Sequence, residues 1–305
     1  MAELGYQPNP AARSMGAGRS NMIGLLVADT GLYGPAGMLN AMERQARQAG
    51  YFAITVAVKY DSRESWAEGM QHFAKLHVEG VATIALPSEV LDLAAGLMPN
   101  VKLVAIDADQ SVDNGQSVGI DNLEGGYIAT KHLLELGHRK ILHISGPSAS
   151  SESKNRVRGY ERAMKEAGLE PFIIQGDWSS ETGHRIGIEL DIDTKGFTAI
   201  FTANDHLALG VYKALSSRGL RVPEDLSIVG FDDIPEAPYL NPPLTTVRQD
   251  FAQLGELAIQ LLLSDLAGAK RKKTASIKPQ LVLRDSATRY SGKSQTSSNR
   301  KPGNK

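Results

Sequence analysis

Side chains able to grip a small polyhydroxylated molecule lie at a few short junctions of the chain. Arg156 follows the turn Gly146-Pro147-Ser148-Ala149-Ser150-Ser151-Glu152 and precedes Gly159-Tyr160 by three residues, which sets it on the first turn or two of a helix. A guanidinium presents five donors in a fixed fork, although an isolated arginine of this kind equally forms a surface salt bridge. Trp178, one of two tryptophans, stands in the polar loop Gly176-Asp177-Trp178-Ser179. Its indole face can stack on the C–H face of a sugar or fill a core. Asn204 and Asp205 close Thr202-Ala203-Asn204-Asp205, where either suits a helix N-cap. Phe231-Asp232-Asp233-Ile234-Pro235 offers paired carboxylates suited to hydroxyl recognition. Asp29-Thr30-Gly31-Leu32-Tyr33-Gly34-Pro35 reads as a Gly/Pro turn that introduces a helix.

No enzyme signature accompanies these groups. The chain has no P-loop, no G-x-S-x-G elbow and no H-E-x-x-H helix, and Glu124-Gly125-Gly126 lacks the spacing of a dinucleotide loop. Cysteine is absent, which removes disulfides, thiolate metal sites and cysteine nucleophiles. The seven histidines are scattered, so neither a metal nor another cofactor is expected, and His138 reads as a turn residue. With 42% hydrophobic and 22% charged residues the profile is that of a soluble globular protein. No apolar run reaches the ~18 residues of a membrane span, and no signal peptide is evident, so a cytoplasmic location is expected. The net charge of −1 is uneven: from Gly268 onward eleven Lys/Arg face only Asp285, a balance of +10 that leaves about −11 elsewhere. An acidic body argues against a broad nucleic-acid surface.

The elements that must position these junctions alternate regularly. Strands are expected over Met22–Ala28, Phe52–Val58, Val81–Leu86, Lys102–Ile106 and Ser117–Asp121, with helices over Ala36–Ala49, Arg63–His77 and Glu124–Leu136 and a short helix after the third strand. The rhythm restarts with strands Ile141–Ser145, Phe172–Ile174, Thr198–Thr202 and Leu226–Phe231 and helices Val157–Ala167, Ser180–Glu189 and Asp205–Ser217. A further helix, Phe251–Leu266, and a last strand, Pro279–Leu283, follow. Continuous apolar strands separated by helices indicate an α/β fold with two parallel sheets covered on both faces. Ligands bind such sheets at the carboxyl ends of the strands, so the expected site is the cleft between the units. Thr245-Thr246-Val247-Arg248-Gln249-Asp250-Phe251 carries the chain back to the first unit, Lys270–Lys273 reads as a solvated basic loop, and the polar stretch from Tyr290 to Lys305 as a disordered tail.

One segment stands outside this scheme. In Tyr6-Gln7-Pro8-Asn9-Pro10-Ala11-Ala12-Arg13-Ser14-Met15-Gly16, Asn9 is a good N-cap and Pro10 suits the first helical position. Fewer than two turns follow, too few for an isolated helix. The segment is either a frayed arm or a helix that folds on a partner.

Taken together, the chain resembles the LacI/GalR family of bacterial transcription regulators from about Leu4 to Tyr290. The markers are Gly5 to Ser14, Ile23-Gly24-Leu25-Leu26, Leu136-Gly137-His138-Arg139-Lys140-Ile141 and Arg156-Val157-Arg158-Gly159-Tyr160. Ala203-Asn204-Asp205-His206-Leu207-Ala208-Leu209-Gly210, Val229-Gly230-Phe231-Asp232-Asp233-Ile234 and Pro242-Pro243-Leu244-Thr245-Thr246-Val247-Arg248-Gln249 complete the set. The resemblance implies two Rossmann-like parallel-sheet subdomains in the type I periplasmic-binding-protein architecture with a short N-terminal hinge helix. It divides the chain into a headpiece remnant and hinge (1–19), an N-subdomain (20–121 with 248–278), a C-subdomain (122–247 with 279–290) and a tail (291–305).

The resemblance further implies a homodimeric regulator, a repressor rather than an activator, whose cleft binds a small sugar and alters operator affinity through the hinge. Effector contacts carry over onto Arg156, Trp178, Asn204, Asp232, Gln249, Phe251 and Glu124, and DNA contacts onto Asn9, Ala11, Ala12, Arg13, Ser14 and Met15. Two positions depart from the family: Tyr33 lies one residue before the usual aromatic position, and Met15 replaces the leucine that wedges into the minor groove. Only Met1-Ala2-Glu3-Leu4-Gly5 corresponds to the end of the family's helix-turn-helix headpiece, so this chain is expected to bind operators weakly. The alternative is a solute-binding protein of a sugar transporter, for which the Asn9–Met15 segment would have no use.

Overall fold

The computed structural model describes residues 20–28, 33–59, 62–84, 96–106, 116–269 and 275–292. The hinge residues Asn9, Ala11, Ala12, Arg13, Ser14 and Met15, and the expected short helix after the third strand in all but its last residues, lie outside the described residues.

Strands β1 (Met22–Ala28), β2 (Phe52–Val58), β3 (Gly80–Ile84), β4 (Lys102–Ile106) and β5 (Gln116–Ile120) alternate with helices α1 (Tyr33–Gln48) and α2 (Arg63–Leu76). Then come α3 (Asn122–Glu135), β6 (Ile141–Ser145), α4 (Ser151–Glu166), β7 (Phe172–Gln175), α5 (Ser180–Glu189), α6 (Ile192–Lys195), β8 (Ala199–Thr202), α7 (Asp205–Ser217) and β9 (Ser227–Asp232). A 3₁₀ turn (Ala237–Tyr239), β10 (Thr245–Arg248), α8 (Phe251–Leu266), β11 (Ala275–Ile277) and β12 (Gln280–Val282) end the described chain. Two six-stranded sheets result, in the orders β2-β1-β3-β4-β5-β11 and β7-β6-β8-β9-β10-β12. Every pairing is parallel except β10 with β12.

Runs such as Ile23-Gly24-Leu25-Leu26-Val27 form central strands because both of their faces are covered, and nearly every residue of β1 is buried. One face of the first sheet carries Met38, Met42, Leu254, Ala258 and Leu262 from α1 and α8. The other face carries Trp66, Met70 and Phe73 from α2. In the second sheet α5 and α7 cover one side with Ile186, Leu207, Val211 and Leu215, and α3 and α4 the other with Leu133, Tyr160 and Met164. The chain passes between sheets after β5, between β10 and α8, and at Lys278-Pro279 between β11 and β12.

Helix α4 begins at Ser151, six residues before the expected Val157. Its first turn, Ser-Glu-Ser-Lys-Asn, is polar and reads as loop, yet Ser150 caps it by accepting from the Ser153 N–H at 3.2 Å. Strand β11 was not foreseen, since Ala-Ser-Ile is too short to show a period; it adds in parallel to β5. Tyr290 does not belong to a free tail: its N–H donates to Leu136 O at 2.9 Å and its ring lies 5.7 Å from that of His138. Nor is His138 only a turn residue. It is buried, and its ring nitrogens bond Thr198 Oγ1 at 2.9 Å and Thr288 O at 3.0 Å, tying the end of α3 to the start of β8 and the C-terminal stretch.

The α3–α4 and α5–α7 contacts depend on glycine. A Cβ at Gly126 would strike the Arg156 carbonyl, and one at Gly159 the Leu123 carbonyl; Gly183 and Gly210 meet Leu207 O and Ser180 O in the same way. Gly159→Ala is therefore expected to cost about 1–3 kcal/mol by forcing the helices apart. Gly37→Ala in α1, where the new Cβ would meet its nearest neighbour, Phe251 Cβ, at an ordinary 3.4 Å, should instead stabilise by about 0.5–1 kcal/mol. Urea midpoints of the two variants measure this difference in sign.

Candidate functional site

The polar junctions converge at the carboxyl ends of the second sheet's strands. Arg156 reaches in from the second turn of α4 and is only 5% exposed. Its Nε donates to Asn122 Oδ1 at 2.8 Å and its Nη1 to the Ala203 carbonyl at the end of β8. Asp232 Oδ1 lies 3.7 Å from the same Nη1. The guanidinium stacks 3.8 Å from the Phe231 ring centroid, with the Trp178 ring 5.3 Å away on α5's approach. Flanked by rings, the cation gains attraction from two π faces.

Trp178 holds a left-handed backbone, φ 74°, in the loop after β7. Asp177 closes that loop by accepting from Ser179 N at 3.0 Å and Ser179 Oγ at 2.6 Å. The indole lies so near Gly146 that no Cβ fits between them. Trp178 is thus a half-buried wall between β6 and β7, whereas Trp66 is the core tryptophan. Asn204 is the N-cap of α7, accepting from Leu207 N at 2.9 Å, and its Nδ2 donates to Trp178 O at 3.0 Å. The cap therefore also fixes the tryptophan loop.

The two carboxylates at the end of β9, Asp232 and Asp233, do not act together. Both have positive φ, 115° at Asp232 and 57° at Asp233, which turns their side chains apart. Asp232 accepts from Gln249 Nε2 at 2.6 Å. Burial pushes its carboxyl above the usual carboxylate value, against the pull of Arg156 and the Gln249 hydrogen bond. Asp233 is claimed instead by Arg248 Nε and Arg284 Nη2, each at 2.6 Å, so the expectation of a joint hydroxyl-binding pair is corrected. Phe251, at the first position of α8, packs edge-on to Tyr33 with centroids 5.8 Å apart. Burial, then Asp233, Glu236 and Asp232, raise the Tyr33 phenol, so acids of the second unit act on a residue of the first.

Six of the seven residues carried over from the family thus occupy this region, and five of them, Arg156, Trp178, Asn204, Asp232 and Gln249, share direct contacts. Glu124 differs: it sits on the first turn of α3 and its charge acts on Arg162 of α4. Sequence reading missed Asn122, whose only signal is its place just after the Asp121 cap. It also took Asp205 as a possible cap, whereas that residue turns inward beneath the site. Thr246 Oγ1 donates to its Oδ1 at 2.6 Å and Ile234 N to its Oδ2 at 3.0 Å. Among the described residues no cluster of metal-binding side chains is present, and no helix is long and apolar enough to cross a membrane.

Two covered parallel sheets of like order, with convergent polar side chains at strand ends, define a ligand-binding domain of the periplasmic-binding-protein type. A family model described as a periplasmic binding protein-like domain matches residues 130–287. The HTH-type transcriptional repressor PurR of Haemophilus influenzae is 33% identical over 293 residues, spanning 93% of this chain and 86% of that protein. The ribose operon repressor of the same species is 34% identical over 294 residues, 94% of this chain and 87% of that protein. The lac repressor dimer bound to operator and the anti-inducer ONPF superposes with a TM-score of 0.85 at 28% identity, covering 93% of this chain and 99% of that one. The transcriptional regulator CelR in complex with cellobiose gives 0.81 at 26% identity and 92% of each chain. The chain belongs to the LacI family of transcriptional repressors, and this membership favours an effector-responsive regulator over a transporter's binding protein.

Asp205 yields a pH test of the site's foundation. Burial, and next the charge of Asp232, lift its carboxyl well above the usual carboxylate range. The native state then keeps a proton that the unfolded chain has released, so this contribution is full at low pH and is lost as pH rises toward the folded value. Asp205→Asn keeps an acceptor for Ile234 and cannot ionise. Its melting temperature is expected to exceed that of the parent at about pH 8 and to fall less steeply between about pH 5 and 8. A variant that melts lower at every pH with an unchanged slope would show the carboxylate to be ionised and held by its hydrogen bonds.

Proposed function

We propose that this repressor takes a small sugar in the cleft and transmits its binding to DNA, working as a homodimer in the cytoplasm without catalysing a reaction. The observation that carries this reading is the chain of direct contacts Gln249–Asp232–Arg156–Asn122, walled by Trp178 and Phe231. Carboxylate, amide and guanidinium groups each bond more than one hydroxyl, and aromatic faces suit the apolar C–H side of a sugar ring. The effector contacts proposed are Arg156, Trp178, Asn204, Asp232, Gln249 and Phe251, with Glu124 as an outlying member. The similar CelR structure, a complex with cellobiose, supports the class.

The proposed division is 20–121 with 248–278 for one subdomain and 122–247 with 279–290 for the other. Gln249 and Phe251 lie on a crossing between them, so a ligand held there would interact differently with different arrangements of the two halves. That differential affinity is what could shift DNA binding. The proposed DNA element is Asn9–Met15, with Met15 as the wedge and Arg13 on a phosphate.

Titrating neutral sugars while following Trp178 fluorescence tests the ligand reading. Gln249→Ala removes one hydrogen bond to Asp232 while keeping the Arg156 bonds to Asn122 and Ala203 O, and is expected to weaken the bound sugar about tenfold to a hundredfold. Arg156→Ala should abolish the response, with circular dichroism separating lost binding from lost fold. Undiminished affinity in Gln249→Ala would move the pocket elsewhere. For DNA, anisotropy of a labelled operator duplex across a salt series should show a slope shallower by about one per protomer in Arg13→Ala.

A further inference from the structure

We propose that the cleft selects a polyol without negative charge, a neutral or amino sugar rather than a sugar phosphate or sugar acid, and that Glu152 enforces this choice. The proposal rests on the sugar reading above and adds the charge of the ligand to it.

Three described arginines near the strand ends are already engaged, while His206 on α7 keeps a buried Nδ1 without a hydrogen-bond partner among the described residues. Arg156 is buried between two rings, with Nε on Asn122, Nη1 on Ala203 O and the Asp232 carboxylate beside it, so its charge is already balanced within the site. Arg248 and Arg284 both bind Asp233. His206, on the first turn of α7, is the other basic group that acts on Asp232. Lys154 is exposed, and standing two residues from both Glu152 and Arg156 it projects from the opposite side of α4.

Five helix N-termini, the usual alternative for holding an anion, are occupied by their own side chains. Asp121 caps α3, Ser150 caps α4, Ser179 caps α5, Asn204 caps α7 and Asp250 caps α8. On α4 the first turn also carries Glu152, whose Oε2 accepts from Ser150 Oγ at 2.5 Å. The positive end of that helix is therefore already balanced by a carboxylate.

Glu152 stands beside the cluster. It lines a crevice of about 140 Å³ with Asn122, Asn155, Ser117 and Ser276, between the β5–β11 edge and the start of α4, and among the described residues no lysine or arginine lines it. Its charge acts on Asp232, while Asp233, Glu236 and Asp232 act on Tyr33 from the second unit. Among the described residues, an anion entering this crevice meets the Glu152 carboxylate with no lysine or arginine beside it, whereas an ammonium group meets an opposite charge.

Two measurements with separate failures test the idea. Calorimetry with glucose, galactose and ribose, each beside its amino, phosphate and acid derivatives, should show the phosphate and acid forms binding at least about tenfold more weakly than the parent sugar. Glu152→Gln should narrow that gap. A phosphate or acid form that binds as tightly as its parent overturns the proposal. Independently of any sugar, Trp178 reports the local potential through charged quenchers, since fully buried Trp66 is silent to them. Normalised to free N-acetyltryptophanamide at constant ionic strength, iodide should quench about twofold less efficiently than caesium, and Glu152→Gln should reduce the difference. Equal normalised quenching by the two ions overturns the inference. Failure of every sugar to bind removes the underlying sugar reading, and the quenching ratio then decides the cleft's charge alone.

Discussion

The buried guanidinium of Arg156 is the constraint around which the second half of the molecule is arranged. Removing such a cation from water costs several kcal/mol, and the loss is offset only by well-placed partners. Those partners come from separate parts of the chain: Asn122 from the start of α3, the Ala203 carbonyl from the end of β8, and Asp232 from the end of β9. None of the three is near Arg156 in sequence. An arginine at this position therefore requires the strand ends to be brought together in one arrangement. An apolar side chain of like volume would pack as well without fixing them.

A second tier of polar contacts supports the first. Asp205 lies beneath Asp232 and joins α7 to β10 through Thr246 and to the β9 turn through Ile234. Asp233 draws Arg248 and Arg284 onto the same turn. This explains how two consecutive aspartates can both keep positive φ: each conformation is held by partners that would be lost if it relaxed. The same arrangement explains why the carboxyls divide their work, one facing the arginine cluster and the other bracing the strand ends.

Much of the fold was legible because it follows local rules. Ile141–Ser145, Ser180–Glu189, Asp205–Ser217 and Phe251–Leu266 have the bounds the sequence suggests, since an apolar run or a capping side chain marks each. The first turn of α4 was not legible, because its stability comes from the Ser150 cap and from burial of Ser153 and Arg156, and neither leaves an apolar period. Strand β11 is likewise defined by its neighbour β5 rather than by its own residues. In the site, residue types at strand ends could be read directly, but pairings such as Arg156 with Asn122 span 34 residues and have no local signature. The Asp232–Asp233 pair misled for the same reason, since Arg284 lies far along the chain.

The packing also constrains how the halves can change relative to one another. Helices α3 and α4, and α5 and α7, touch through glycines that leave no room for a Cβ, and in the first unit Gly255 brings α8 against Met38 O of α1. Contacts this close cannot slide without collision, because backbone meets backbone and no flexible side chain can yield. Each covered sheet therefore behaves as a stiff body. The links between the sheets are short: Asp121 between β5 and α3, Gln249-Asp250 between β10 and α8, and Lys278-Pro279 between β11 and β12. A hinge needs only a few residues at element ends to absorb a change in backbone angles. Gln249 lies in one of these links and also donates to Asp232. Under the division proposed above, a ligand that competes for the Asp232 carboxylate would act on a residue of this link directly, and no longer route through the core would be required to couple the proposed cleft to the relation between the two sheets.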